Sequence, residues 1–425
     1  MLNFLIVLIG KSVSLFSNFF NLGSGGTWPG HIALKLNKNF INQAIDSKTK
    51  IVLVAGTNGK TSTATLITHI LTQCGNQVAH NKTGANQLNG IASAIISEIP
   101  KLSNKLIKDY LILEVDENVL PLALKKLTPN TMICLNLFRD QLDRYGEIDS
   151  IVKKWRDSFS KLSTNTTLIL NADDPQMAIL GTKKTKNYYF GLNLNLEKEI
   201  QHGADSIFCP NCQSELIYKT ISFSHLGNWA CPTCKLKRPS LDISSSNFFP
   251  LAGTYGKYIT LAAILFAKNQ KISQEKILSS IKKFKPPFGR QEKFEINGKK
   301  IEILLSKNPT SFNESLKTIK NQGAKNVLLV LNDHYVDGID VSWIWDIDFE
   351  NLLSKSTNIA VSGERVYDIA IRLKYAEKFT HIFTDLDEAI NKMIENIAMG
   401  EKLYVLANYS AMLETRKILL GRKLL

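Results

Sequence analysis

One stretch near the N-terminus, IVLVAGTNGKTSTATLI (51–67), restricts the fold more than any other part of the chain. A β-branched run leads into a glycine-containing turn, which is followed at once by Lys60, Thr61 and an apolar-periodic segment. This order of strand, loop and helix is typical of a phosphate-binding loop. Val54, however, stands where the usual G-x-x-x-x-G-K-[ST] pattern has its first glycine, so the pattern alone does not decide whether the loop binds a nucleotide.

The loop predicts a nucleotide site of defined chemistry. Backbone N–H groups at a helix N-terminus surround a phosphate, Lys60 would reach the β- and γ-phosphates, and the Thr61 hydroxyl would ligate Mg²⁺. Glu114, in the segment LEVDE, stands at the carboxyl end of a predicted strand, where an open α/β sheet places a metal-binding carboxylate. The predicted magnesium ligands are Thr61 and Glu114, and the predicted ATP-binding residues of the loop are Gly56, Thr57, Asn58, Gly59, Lys60, Thr61 and Ser62.

Predicted strands and helices alternate along most of the chain. The strand candidates are 51–55, 111–115, 132–136, 167–171 and, later, KIEILL, NVLLVLN, IAVSG, HIFTD and KLYVLAN. Such alternation predicts parallel βαβ units. We therefore predict an α/β fold with an N-terminal helix and lead-in segment (1–45), a central P-loop ATP-binding domain with a parallel sheet (46–290) and a smaller Rossmann-like C-terminal domain (291–425). FKPPFGRQE (284–292) is predicted to be a rigid connection between the last two.

Four of the six cysteines form two C-x2-C pairs, CPNC (209–212) and CPTC (231–234). This spacing is typical of a tetrahedral zinc site in which each pair supplies two thiolates. Two disulfides are the alternative, but nothing else in the sequence indicates an oxidising compartment. The sequence therefore predicts a structural zinc ribbon inserted at 203–240, with Cys209, Cys212, Cys231 and Cys234 as the ligands.

The N-terminal run MLNFLIVLIGKSVSLFSNFF is apolar without the form of a targeting signal. No basic residue precedes it and Lys11 interrupts it, whereas a spanning helix needs about 20 apolar residues and a secretory signal has a basic start. The sequence favours an amphipathic helix packed on the protein, and a helix in contact with a membrane surface is the alternative. The chain is expected to be cytoplasmic.

The net charge of +14 comes mainly from scattered lysines. It fits either a general lysine bias or attraction to an anionic surface or substrate. A basic P-loop chain with a zinc ribbon also raises nucleic-acid binding as an alternative function. Few arginines and little aromatic–basic interleaving in 205–240 argue against it.

Further motifs carry a resemblance to a known family. TGANQLNGIASAI (83–95), NLFRDQLDRYGE (136–147), NADDP (171–175) and FGRQE (288–292) accompany the loop. Together they resemble the ATP-dependent Mur ligases, which include the folylpolyglutamate synthases. These enzymes share a shortened GTNGKT loop without the first glycine, so the resemblance implies that Val54 is normal for the family at this position. The resemblance also implies nucleotide contacts from Arg290 and, with less definite roles, from Asn171 and Asp173.

Segments across nearly the whole chain are similar to the Mur-ligase-like subunits of lipid II isoglutaminyl synthases; these segments include GSGGTWPGHIALKL (23–36), SKNPTSFNES (306–315), DGIDVSWIWDIDFE (337–350) and NYSAMLETR (408–416). The resemblance implies ATP-dependent amidation of the D-glutamate α-carboxylate in the lipid II stem peptide, through an acyl phosphate. Lys60 and Glu114 would serve catalysis, with ATP, Mg²⁺ and structural Zn²⁺ as cofactors. Ammonia would come from a GatD-type glutaminase in a heterodimer that acts at the inner face of the membrane. The other explanation within this enzyme class is a stand-alone amino-acid ligase of the Mur or folylpolyglutamate type.

In this family a carboxylate of the C-terminal domain is thought to complete the Cys–His pair of the glutaminase. Asp337, Asp340 and Asp346 are the candidates, without a ranking, and solvated turn acids are the alternative explanation for each. The chain also departs from the family pattern. Gln141 replaces a metal-binding histidine, Gly256 and Ile259 replace two asparagines, and Lys153 and Lys154 are in the range of a carbamylated lysine but are expected to be surface lysines.

Overall fold

The computed structural model of the protein describes residues 2–19, 27–82, 84–100, 103–139, 148–194, 205–287 and 289–421. The described strands form two six-stranded sheets and one two-stranded ribbon. This arrangement confirms the predicted α/β fold class. The domain boundaries proposed from the sequence remain predictions.

The first sheet contains six parallel strands in the order β2-β3-β1-β4-β5-β6. The strands are β1 (Lys50–Ala55), β2 (Val78–His80), β3 (Tyr110–Val115), β4 (Thr131–Cys134), β5 (Thr167–Asn171) and β6 (Lys186–Phe190). The sequence predicted the four central strands, which are apolar runs buried on both faces. It missed β2 and β6, the two edge strands, because β2 has only three residues and β6 is half exposed.

Helices cover both faces of this sheet and give it two separate cores. They span Lys60–Gln73, Leu88–Glu98, Leu120–Leu124, Ile148–Phe159, Pro175–Ala178, Gly253–Asn269 and Gln274–Lys282. Val52 and Val54 of β1 belong to the core that contains helix Lys60–Gln73, whereas Leu53 and Ala55 belong to the core on the opposite face. This alternation follows from the two-residue period of a strand. It holds the end of β1, and therefore the loop that follows, between two packed layers.

The cysteine-rich insert is a ribbon attached to the first sheet. Its antiparallel strands are β7 (Ile217–Phe223) and β8 (Leu226–Ala230). Trp229 is buried at the base of the ribbon, where its indole N–H donates to the Ala172 carbonyl at 3.0 Å. Arg238 also forms a salt bridge with the buried Asp173 carboxylate at 2.8 Å.

The second sheet has the order β13-β12-β11-β14-β10-β9, parallel except for β9. Its strands are β9 (Arg290–Ile296), β10 (Lys299–Leu305), β11 (Asn326–Val330), β12 (Asn358–Ser362), β13 (His381–Ile382) and β14 (Lys402–Ala407). The flanking helices are Pro309–Asn321, Phe349–Leu352, Val366–Tyr375, Leu386–Asn396 and Tyr409–Leu420, with a 3₁₀ turn at Ser342–Asp346.

The predicted rigid connection over 284–292 is wrong at its C-terminal end, because Arg290 already begins β9. The sequence RQEKFEI has four charged residues among seven, which suits a partly exposed edge strand. Because this segment has no apolar run, the sequence pattern did not indicate a strand.

Three helices precede β1, at Leu2–Phe19, Trp28–Leu36 and Phe40–Gln43. The first packs on the protein through Ile6 and Val7, which are buried, and Lys11 donates to the carbonyl of Ile99. Across the described part of the chain, no helix combines the length and the hydrophobicity needed to cross a membrane.

Candidate nucleotide-binding site

The loop after β1 has the backbone geometry of a phosphate cradle. Gly56 has a φ of +136° and Gly59 a φ of +90°, a region that favours glycine. A Cβ on Gly56 would also lie 2.8 Å from the carbonyl oxygen of Asn136. The Asn136 side chain accepts the backbone N–H of Asn58 at 2.9 Å. The next strand of the sheet therefore holds the loop, and helix Lys60–Gln73 begins directly at its end.

Lys60 is the first residue of that helix, and its ammonium group is buried inside the loop. It donates to the carbonyls of Gly56 and Thr57 and to the Glu117 carboxylate at 3.2 Å. Burial acts to raise the pKa of Glu117, but the positive charges of Lys60 and Lys307 outweigh it and lower that pKa. In this arrangement Glu117 supplies the negative charge that Lys60 would receive from a phosphate in a nucleotide complex.

Thr61 and Glu114 form a pair at the carboxyl ends of β1 and β3. The Thr61 hydroxyl donates to Glu114 Oε2 at 2.7 Å, while Glu114 Oε1 is buried without a hydrogen-bond partner among the described residues. Burial raises the pKa of Glu114, although Thr61 and the charges of Lys60, Arg290 and Lys307 act to lower it. An unpartnered carboxylate oxygen beside a threonine hydroxyl fits a hard cation such as Mg²⁺.

A cleft of about 1600 Å³, open to solvent, lies between the two sheets at this point. The first half of the chain contributes Lys60, Thr61, Glu114 and Glu117 together with Lys82 and Asp116, whereas the charged residues of the second half are all positive. The residues on the far wall are Pro287, Arg290, Leu305, Lys307, Val336, Tyr409 and Met412. An anionic substrate entering the cleft would therefore meet four cations, Lys60, Lys82, Arg290 and Lys307, that come from separate parts of the chain.

A smaller cavity, with about 90 Å³ of space accessible to water, continues from the loop. Asn58, Gly59, Ser62, Arg290 and Glu314 are among the residues that line it, and Gly59 and Arg290 line the cleft as well. Glu314 Oε1 accepts the backbone N–H groups of Thr254 and Tyr255, whereas Glu314 Oε2 is buried without a partner among the described residues. Burial raises the pKa of Glu314 to about 7.

Two residues expected at the nucleotide have other contacts in the structure. Asn171 donates to the Leu135 carbonyl at 2.8 Å, and the buried Asp173 accepts from Arg238 and from the Tyr258 hydroxyl. Neither residue lines the cleft or the cavity. Their assignment to the nucleotide stays a prediction, and in this structure Asp173 joins the ribbon to the first sheet.

The four ribbon cysteines come together as expected. The Sγ atoms of Cys209, Cys212, Cys231 and Cys234 all lie within 4.8 Å of one another, and no pair is joined by a disulfide. Two thiols from each knuckle therefore face a common point, and this set fits tetrahedral Zn²⁺.

The three candidate aspartates of the C-terminal half have different surroundings. Asp337 is buried and accepts from the Ser410 N–H at 3.0 Å and from the Ser410 hydroxyl. Asp340 is exposed, and the Ser342 N–H that it accepts lowers its pKa. Asp346 is half buried in the 3₁₀ turn. Of the three, Asp340 alone is exposed.

The departures from the family pattern have partial explanations. A Cβ on Gly256 would lie 2.4 Å from the Leu251 carbonyl, and Ile259 packs against Gly59 of the loop. Lys153 and Lys154 are exposed on helix Ile148–Phe159, as expected of surface lysines. Gln141 lies outside the described residues.

Sequence reasoning overlooked Glu117, Lys307 and Glu314. All three stand in motifs that were quoted for other reasons, LEVDE and SKNPTSFNES. The signal available in the sequence was a charged residue in a motif that stands near the end of a predicted strand. The contact between Glu117 and Lys60, which are 57 positions apart, gives no local pattern.

Comparisons with known proteins agree with this geometry. Residues 54–223 match the Mur ligase middle domain, and residues 305–412 match the MurT ligase C-terminal domain. The chain is 34% identical to the MurT subunit of lipid II isoglutaminyl synthase (glutamine-hydrolyzing) from Streptococcus pneumoniae, over 95% of this chain and 94% of that protein. It is also 34% identical to the subunit of the same name from Staphylococcus aureus, over 86% of each.

A solved structure shows the same fold at lower identity. The pseudomurein peptide ligase type C of Methanothermus fervidus superposes with a TM-score of 0.68 at 22% sequence identity, covering 88% of this chain and 79% of that one.

Proposed function

We propose that this chain, which belongs to the MurT family of ATP-dependent Mur ligases, amidates the D-glutamate α-carboxylate of the lipid II stem peptide with ammonia from a glutaminase partner. The observation that carries the proposal is the Lys60–Thr61–Glu114 constellation, which faces Arg290 and Lys307 across one cleft. The relatives named above are MurT subunits of a glutamine-hydrolysing lipid II isoglutaminyl synthase, and the chain spans most of their length.

The first step would activate the carboxylate. A carboxylate oxygen attacks the γ-phosphorus of ATP, and ADP leaves as an acyl phosphate forms. Charge builds on the transferring phosphoryl oxygens, so the chain contributes positioning and positive charge rather than a nucleophile. Lys60 would exchange the Glu117 carboxylate for the phosphates, while Arg290 and Lys307 approach from the opposite wall.

Glu114 and Thr61 would hold Mg²⁺, which neutralises the phosphate charge when it is bound. The buried, unpartnered Oε1 of Glu114 supports this role. Ammonia then attacks the carbonyl carbon, and the tetrahedral intermediate releases phosphate to leave the amide.

Ammonia would reach the cleft from the surface that carries Asp340. Val336, four residues before Asp340, lines the cleft itself, so one loop joins this surface to the site of amidation. We propose that Asp340 supplies the third member of the Cys–His pair of the glutaminase. Its exposure supports this choice over Asp337, whose carboxylate is engaged by Ser410.

The test combines the protein with its candidate glutaminase, ATP, Mg²⁺, glutamine and lipid II, followed by mass spectrometry of the stem peptide. Amide should form only when both subunits are present. Lys60→Ala should abolish it because the phosphates lose their buried cation, whereas Lys355→Ala, at a side chain that is 83% exposed, should have no effect. ATP-dependent addition of an amino acid by this chain alone would instead identify a stand-alone ligase, and turnover by the Lys60 variant would overturn the site assignment.

A further inference from the structure

The N-terminal helix Leu2–Phe19 has an apolar face directed away from the protein. Leu2, Leu5, Leu8, Ile9 and Leu15 have exposed fractions between 39% and 71%. At about 100° per residue these five positions fall in one sector of about 140°. The opposite side of the same helix is buried through Ile6 and Val7, so the exposed leucines are not the result of a helix that has failed to pack.

The surroundings of this face are basic. The first 45 residues contain three lysines and no Asp or Glu, and Asp46 is the first acidic residue. Lys35 and Lys38 are exposed at the end of helix Trp28–Leu36, and within the described residues neither pairs with a carboxylate. The side chain of Asn37, between them, donates to Asn3 Oδ1 at 2.9 Å, which places these lysines beside the start of the N-terminal helix.

The N-terminal helix packs against a second helix that begins at the cleft. Thr27, which lines the cleft, directly precedes helix Trp28–Leu36. Trp28 is 61% exposed and Leu36 is 52% exposed at the two ends of that helix. Both helices therefore carry exposed apolar side chains, and the second helix starts beside the site where the substrate would enter.

We propose that this face docks the protein on an anionic phospholipid bilayer, with its leucines inserted among the acyl chains and Lys35 and Lys38 at the headgroup phosphates. An amphipathic helix with an apolar face and a basic border lies in the plane of the interface, and two weak signals together give stable binding. The inference rests on the proposed function, since a lipid-linked stem peptide remains at the bilayer surface. Docking would hold the open cleft at the height of that peptide.

Vesicle flotation of the full-length protein tests the proposal. The probes are phosphatidylglycerol–phosphatidylcholine vesicles and vesicles of phosphatidylcholine alone. The protein should float with the anionic vesicles, and Leu5→Glu and Leu15→Glu, in different turns, should each lower partitioning about tenfold. Met399→Glu, an equal change at a side chain that is 73% exposed on the C-terminal half, should float like the wild type.

Activity separates docking from catalysis. The two variants should amidate a water-soluble, short-chain analogue of lipid II at the wild-type rate and lose turnover on lipid II embedded in anionic vesicles. Failure of the wild type to amidate either substrate, with flotation as expected, would remove the proposed function and leave docking intact. Docking is overturned if the wild type does not float or if both variants float as well as the wild type. It is also overturned if the variants change only the oligomeric state, because this face would then be a contact between copies of the chain.

Discussion

At the scale of single residues, the pair formed by Lys60 and Glu117 keeps a cation buried inside the phosphate loop. A buried charge is costly without a partner, so Glu117 stabilises the protein before a nucleotide binds. ATP would then compete with Glu117 for the same ammonium group. The loop can therefore remain folded without a ligand and still release its lysine to a phosphate.

This exchange predicts that Glu117→Gln destabilises the nucleotide-free protein by about 1–3 kcal/mol, because the Lys60 charge loses its counter-charge. Saturating ATP should recover much of the loss, since the phosphates replace the missing carboxylate. Thermal unfolding with and without ATP measures both effects. Glu302→Gln, which breaks the Lys402 pair in the second sheet, is the control and should leave the ATP-induced shift unchanged. An equal ATP-induced shift in Glu117→Gln and the wild type would contradict the exchange.

Glu314 predicts a dependence of stability on pH. Burial raises its pKa from 4.5 to about 7, so between these values the folded state binds more protons than the unfolded state. Stability from this group is therefore present below about pH 4.5 and is lost as the pH rises through about 7, with an upper limit of about 3 kcal/mol.

Glu314→Gln removes the ionisable group and keeps an oxygen for the N–H groups of Thr254 and Tyr255. Between pH 5 and pH 8 the nucleotide-free variant should lose less stability than the wild type in urea unfolding. Glu377→Gln, at a side chain that is 83% exposed, should retain the wild-type slope. Parallel curves for the wild type and Glu314→Gln would show that Glu314 does not change its protonation on unfolding.

At the scale of elements, the sequence predicted those segments whose structure is specified by a local residue pattern. The strand–loop–helix around Lys60 and the two C-x2-C pairs were predicted because each is specified within a few neighbouring residues. Edge strands such as β9 were missed because an exposed, charged strand has no apolar run. Asp173 shows a different limit: its motif is similar to a nucleotide-binding motif, yet its carboxylate contacts Arg238, a pairing that only the folded ribbon creates.

The ribbon itself gives the next prediction. Cys209→Ser should lower bound zinc measured by mass spectrometry, because one of four thiolates is lost. Amides in 206–238 should then exchange hydrogen faster, while those of β1 remain protected, since the ribbon has its own small core around Trp229. Cys74→Ser is the matched control, because Cys74 lies outside the cluster. An unchanged zinc content in Cys209→Ser would refute the metal site.

At the scale of the whole molecule, the candidate site exists only where the two sheets meet. The loop and Glu114 come from the first sheet, whereas Arg290 and Lys307 come from the start of β9 and the end of β10. Asn58 spans the junction, with hydrogen bonds to Tyr255 and Asn308. No sequence window contains these contacts, which explains why the motifs predicted the phosphate end of the site and not the cavity beside it.

The proposed function couples two chemistries, glutamine hydrolysis in the partner and amidation in this chain, and Asp340→Asn should separate them. The isosteric change removes the charge that would orient the partner's histidine, so glutamine hydrolysis by the complex should fall by about 10²–10⁴. Amidation should return when ammonium chloride replaces glutamine, because the cleft is unaltered. Asp346→Asn should leave hydrolysis unchanged, and Asp337→Asn should lower thermal stability through the lost Ser410 contacts. Wild-type hydrolysis by Asp340→Asn would exclude Asp340, and failure of ammonium to restore the amide would show that the substitution damages the ligase site as well.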